Sequence, residues 1–236
     1  MTTLHASLLA LVAAASLPAR AQNRTSEATH VFELERPAEV ALTLQASAPG
    51  TTWRYADKAA AVLRLELDGR YSQHLTLFLG AAEHEYRVLL GALGAGRHRL
   101  RARLDHGLST PAALRLEAAF RIQAFQPGAA DYEAIRRAPL VYARPDTLRR
   151  ASDVPLLAYY EWLPAPPGAP AGSTRMLQYT YIFSNEDGGT NTVALMARWG
   201  RTVDIEHVYR VFLDSAGRVV GETFQGVNHI ETPFAG

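Results

Sequence analysis

Between His30 and Phe125 the apolar positions recur at every second residue. Val40, Leu42 and Leu44 alternate with Ala41 and Thr43, Leu63, Leu65 and Leu67 with Arg64 and Glu66, and Leu75, Leu77 and Leu79 are followed by Tyr86, Val88 and Leu90. His98, Leu100, Ala102 and Leu104 alternate with Arg99, Arg101 and Arg103, and Leu114, Leu116, Ala118, Phe120 and Ile122 continue the rule. A strand turns successive side chains to opposite faces, so this pattern predicts strands with one face in a core and the other in water. Pro49-Gly50, Asp68-Gly69, Gly94-Ala95-Gly96 and His106-Gly107 punctuate the runs. About seven short antiparallel strands in roughly 95 residues predict a β-sandwich.

The period changes after Phe125. Pro127-Gly128 breaks the last strand, and Asp131 to Arg137 reads as a short helix, with Asp131 as its cap and Arg136 and Arg137 at its C-terminal end. Pro164 to Ser173 is too rich in Pro and Gly for an element interior and predicts a surface loop. Alternation then returns in Leu177, Tyr179, Tyr181 and Phe183. Thr192 to Trp199 is short and apolar, and its pattern does not discriminate strand from helix. Arg201 to Leu213 reads as a long strand, and Asp214 to Gly217 as the hairpin turn into Arg218 to Phe224. The expected architecture is all-β: two immunoglobulin-like or jelly-roll-like β-sandwich domains, 29–125 and 139–236, joined by a helical linker over 126–138. The pattern runs off the end at Ile230 to Gly236, as an incomplete sandwich would.

Composition narrows the classes. Of 236 residues 48% are hydrophobic and 20% charged, enough for a core and too little charge for a disordered chain. The absence of cysteine excludes disulfide scaffolds, Cys-ligated metals and thiol nucleophiles. The 24 basic and 23 acidic side chains form no block of like charge, so no electrostatic footprint for nucleic acid is present. Lys58 is the single lysine, and the arginines are spread along the chain, which reads as compositional bias rather than a phosphate-binding surface. Leu8 to Ala15 is an apolar run too short to span a bilayer, followed by Ala19-Arg20-Ala21, the small-x-small pattern of a cleavage site. Residues 1–21 are therefore expected to be a signal peptide, with Gln22 the new N-terminus and the bacterial periplasm or exterior the destination. No other stretch predicts a transmembrane segment.

The candidate chemistry lies on the strand after Arg201. Regular alternation places Val203, Ile205, His207, Tyr209, Val211 and Leu213 on one face, and Asp204, Glu206, Val208, Arg210 and Phe212 on the other. Asp204 and Glu206 then stand about 7 Å apart on one face. Two such carboxylates can converge on a hard cation, remain solvated, or pair with Arg201 and Arg210. His207 is expected on the apolar face as a hydrogen-bonded core histidine. Asn185 to Gly189 resembles part of a calcium loop but lacks its spaced acids. No G-x-S-x-G, H-E-x-x-H or phosphate-cradling motif occurs, and no pair of acids is selected for glycoside hydrolysis.

Two resemblances add to this. Asp68-Gly69-Arg70-Tyr71 and Leu93 to His98 resemble the turns of small jelly-roll or immunoglobulin-like accessory domains. Ala138 to Leu157 (APLVYARPDTLRRASDVPLL) resembles the opening segment of the vacuolar-protein-sorting 62-like family, and Val203 to Val208 (VDIEHV) falls at that family's "gDWEhv" strand. The same strand is similar to the "HDWE" core of the necrosis-inducing NPP1-like proteins, secreted β-sandwiches that hold a divalent cation and bind membrane sphingolipids. That resemblance implies Asp204 and Glu206 as metal ligands, with Asp187 of the preceding loop as a third acid. Ile205 replaces the tryptophan of "DWE", and the two histidines fall at Arg201 and Val203. An all-oxygen set suits Ca²⁺ or Mg²⁺ rather than zinc.

The resulting expectation is an exported, non-enzymatic module that binds a surface glycan or lipid headgroup with assistance from a cation. The alternative is a metal-dependent hydrolase of glycans or phosphoesters using Asp204 and Glu206. An enzyme should place another acid or a histidine beside that pair in a concavity, whereas a binding module should expose aromatics such as Trp53, Trp162 or Trp199. Each tryptophan by itself is expected in the core.

Overall fold

The computed structural model describes residues 27–55, 58–110, 114–116, 120–142, 155–185 and 192–234. The expected signal peptide and Asp187 lie outside the described residues. Two antiparallel sheets form the N-terminal half. One has the order β1 (Glu27–Leu34), β6 (Gly96–Leu104), β3 (Ala61–Leu67) and β4 (Arg70–Leu77). The other has β5 (His84–Leu93) and β7 (Arg115–Leu116) flanking β2 (Ala38–Ser47), with β8 (Arg121–Phe125) also paired to β2. The alternation fixes which face is buried: Leu42, Leu44, Leu63, Leu65, Leu77 and Leu100 are fully enclosed in a single core. Burying each such leucine stabilises by about 1.5–3 kcal/mol. Arg64, Glu66, Arg101 and Arg103, between them in sequence, face outward.

The linker forms a single helical turn, α1 (Tyr132–Arg136). Five residues cannot sustain a helix in water, and packing holds this one. Ala134 packs into the C-terminal core with Leu177, Tyr179, Val211 and Leu213, while the next residue, Ile135, packs on Ala41 and Phe125 of the N-terminal half. Asp131 makes no side-chain cap bond. It accepts instead from the Tyr160 hydroxyl at 2.5 Å, and the Tyr179 hydroxyl donates to the Ala134 carbonyl at 2.6 Å. The expected basic end is present: Arg136 and Arg137 both pair with Glu133.

The C-terminal half is an antiparallel meander of β9 (Pro155–Pro164), β10 (Arg175–Phe183), β11 (Asp204–Leu213), β12 (Val219–Gln225) and β13 (Glu231–Pro233), each strand paired with the next. Among the described residues it is one five-stranded sheet. The Pro-rich loop folds onto it at Gly221, where a Cβ would stand 2.6 Å from Pro170 Cγ, so only glycine admits the contact. The segment whose pattern was indeterminate is a helix, α2 (Thr192–Trp199). Gly200 ends it at φ 67, with its N–H on the Met196 carbonyl at 3.0 Å.

Candidate functional site on the C-terminal sheet

The register of β10 against β11 decides where the site residues point. Tyr179 is opposite Tyr209, but the next residue, Thr180, is opposite His207, leaving Val208 as the extra residue of a β-bulge. Alternation across that point is therefore reversed. Tyr181 pairs with Glu206 and Phe183 with Asp204, so the two acids do share a face, and it is the face of Leu177, Tyr179 and Val211. Val208, expected on the face opposite Tyr209, packs with it on the same core cluster. His207 corrects the sequence reading: it lies on the opposite face, where both it and Arg210 pair with Glu231. Burial pushes the Glu231 carboxyl up, but the Thr223 hydroxyl, His207 and Arg210 outweigh it and hold the group below its usual range.

On the acid-bearing face, register aligns one aromatic ring from each of four strands: Tyr160 of β9, Tyr179 of β10, Tyr209 of β11 and Phe224 of β12. Tyr179 and Tyr209 stack at 6.0 Å, and Phe234, just past β13, meets Tyr209 and Phe224 edge-on at 5.9 and 6.4 Å. α1 covers the Tyr160–Tyr179 end. Burial pushes the Tyr179 phenol up, and burial together with donation to Glu222 does the same to Tyr209, so both stay neutral. The far end is open, with Phe224 39% and Phe234 48% exposed.

Polar groups gather at the Asp204–Glu206 end of this face. Glu206 accepts from the Gln225 amide and lies 3.3 Å from His229 Nδ1. The imidazole is brought there by a turn in which Asn228 and His229 take φ of 60 and 59, a left-handed conformation that asparagine and histidine tolerate better than most residues. Asp204 stands 4.0 Å from the Arg201 guanidinium, as one of the sequence alternatives had it, whereas Arg210 is on the other face. Among the described residues no three His, Asp or Glu side chains stand close enough together to hold one metal ion.

The tryptophans depart from expectation. Trp53 and Trp162 are 42% and 39% exposed rather than in the core. The Trp53 indole N–H donates to the Phe78 carbonyl at 2.7 Å, and the Arg175 guanidinium lies 4.8 Å from the Trp162 ring. The side chain of Trp199 lies outside the described residues. Phe224, Gln225, His229 and Phe234 were not singled out from sequence. Their signal was weak, because they come from one strand, one turn and a terminal residue whose convergence depends on the β12–β13 pairing.

No family model matches the chain, and no curated protein is significantly similar to it. Among solved structures the chain is similar to the CBM36-1 domain of a multidomain xylanase from the hindgut metagenome of Trinervitermes trinervoides. The match has 11% identity, covers 42% of this chain and 72% of that domain, and has a TM-score of 0.33.

Proposed function

We propose that this protein is an exported, non-enzymatic module that binds a surface glycan on the acid-bearing face of its C-terminal sheet. The supporting observation is the in-register aromatic row, covered at one end and open at Phe224 and Phe234, with Glu206, Gln225 and His229 on adjoining positions. Exposed rings offer an apolar face to the C–H surface of a sugar, and a carboxylate, an amide and an imidazole beside them fix its hydroxyls. Exposed Trp53 and Trp162 also fit a binding module rather than an enzyme. Affinity electrophoresis in gels containing soluble polysaccharides tests the reading. Phe234→Ala and Glu206→Gln should each weaken retardation about tenfold, which corresponds to about 1.4 kcal/mol. Variants that migrate like the parent in every gel would defeat it. The hydrolase alternative has one observation in its favour, the histidine beside Glu206, and requires release of reducing ends or phosphate that Glu206→Gln abolishes.

Cation assistance is a separable part of the proposal, resting on Asp204 and Glu206. A bound ion stabilises the state that holds it. It therefore requires a rise in Tm with Ca²⁺ or Mg²⁺ that chelator reverses and that Asp204→Asn and Glu206→Gln both remove. Coincident melts would eliminate it while leaving the aromatic platform in place.

A further inference from the structure

The outer face of the β1–β6–β3–β4 sheet carries a pattern that the C-terminal site does not use. β6 directs Arg97, Arg99, Arg101 and Arg103 to this one face, a row about 20 Å long at two strand residues per step. The neighbouring strands add Arg64 from β3 and Glu27 and Glu33 from β1, with Glu66 also from β3. That makes five guanidinium groups against three carboxylates.

The inner end of the row already holds carboxylates. Glu27 sits in the fork of Arg101, with its two oxygens 2.7 and 2.6 Å from Nε and Nη2. Glu66 is shared by Arg64 at 2.9 Å, Arg103 at 3.3 Å and Arg101 at 3.6 Å. Tyr71 extends the face on β4, half-exposed, with the Arg64 guanidinium 4.9 Å from its ring and its hydroxyl 3.0 Å from His74. The other end of the row is different. Arg97 and Arg99 are exposed and have no ion pair among the described residues, although Glu33 stands opposite Arg97 in the register.

Surface ion pairs contribute only about 0–1 kcal/mol each, so fold stability gives little reason to align four arginines on one strand and leave two unpaired. A planar fork that accepts a carboxylate through both oxygens is what an arginine offers and a lysine does not.

We propose that this face is a second binding surface, which takes an extended acidic polysaccharide whose sugar carboxylates continue the ladder begun by Glu27 and Glu66 at Arg97 and Arg99. The face is one side of a four-stranded sheet with an aromatic ring at its margin and a linear row of arginines along β6, which suits an extended chain. The surface is independent of the glycan site proposed above on the C-terminal sheet.

The test is affinity electrophoresis of the full chain in gels containing polygalacturonate, with neutral xylan and duplex DNA as the other arms. Polygalacturonate should retard the protein, salt raised from 50 to about 300 mM should weaken the effect as screening shortens the reach of the charges, and the Arg97→Gln/Arg99→Gln variant should raise the apparent Kd about tenfold. Neither side chain makes an ion pair or a hydrogen bond among the described residues, so the variant remains a fair test of binding rather than of folding. No retardation by polygalacturonate, or an unchanged double variant, overturns the proposal. Equal retardation by duplex DNA would also overturn it, because that would make the face a general polyanion surface.

Discussion

His98 illustrates how a single residue couples two turns. Its Nδ1 lies 2.8 Å from Asp68 and its Nε2 3.0 Å from the Gly94 carbonyl, so both ring nitrogens face acceptors. Only the imidazolium can donate from both. The bond to Asp68, and then that to Gly94, raise the His98 pKa above its ordinary 6.5. For Asp68, burial pushes upward, but the bonds from His98 and the Arg99 N–H prevail and hold it below its ordinary 3.8. The histidine's contribution is fully present below pH 6.5 and is lost as pH rises through its folded pKa. The aspartate's is present above 3.8 and is lost as pH falls through its own. Their joint contribution is therefore greatest between 3.8 and 6.5. The Asp68 side chain is about half exposed, which keeps the effect within about 1 kcal/mol. Urea unfolding from pH 6 to 8.5 should show stability declining in the parent and a flatter profile in His98→Gln.

At the scale of the element, the bulge at Val208 determines the chemistry of β11. Without it, Asp204 and Glu206 would follow Arg210 and Phe212 onto the other face, and His207 would point at the core, as simple alternation had it. Deleting Val208 should therefore restore regular pairing and carry both acids away from the aromatic row. The expected result is a retained β-sheet spectrum, stability lowered by about 1–2 kcal/mol through loss of a partly buried apolar side chain, and loss of retardation in polysaccharide gels. A deletion variant that binds like the parent would show that the bulge does not position the site. α2 gives the complementary case. Ala, Leu, Met and Arg favour a helix, and Gly200 directly after Trp199 is an end signal, so the information was present but the window was too short for periodicity to read.

Across the whole molecule, α1 carries the contact between halves. Ala134 and Ile135 are consecutive, nearly or fully buried, and packed into different cores. The Tyr160 and Tyr179 hydroxyls tie the same turn to the C-terminal sheet. Truncating Ile135 to alanine should cost about 2–5 kcal/mol as a buried large-to-small change. Because its apolar partners, Ala41 and Phe125, are in the N-terminal half, the loss should fall on the coupling between the halves. Scanning calorimetry should show one transition in the parent separating into two in Ile135→Ala. A single transition at lower temperature would mean that the two halves unfold together without this contact.

The all-β class and the N-terminal strands were legible in the chain because a period of two is a local property: each leucine in the core has its solvent-facing neighbour one residue away. The turn at Asp68-Gly69 and the helical linker were legible for the same reason. That Asp204 and Glu206 share a face also followed from their spacing, since two residues apart on a strand is enough. Which face they share did not follow, because a bulge is set by pairing between strands and leaves no mark in the alternation of one strand. The company of those acids, Phe224, Gln225, His229 and Phe234, depends on β12 and β13 folding back beside β11. The arginine row shows the same limit from the other side: alternation puts Arg99, Arg101 and Arg103 on one face of their own strand, but only the β3–β6 register brings Arg64 and Glu66 beside them.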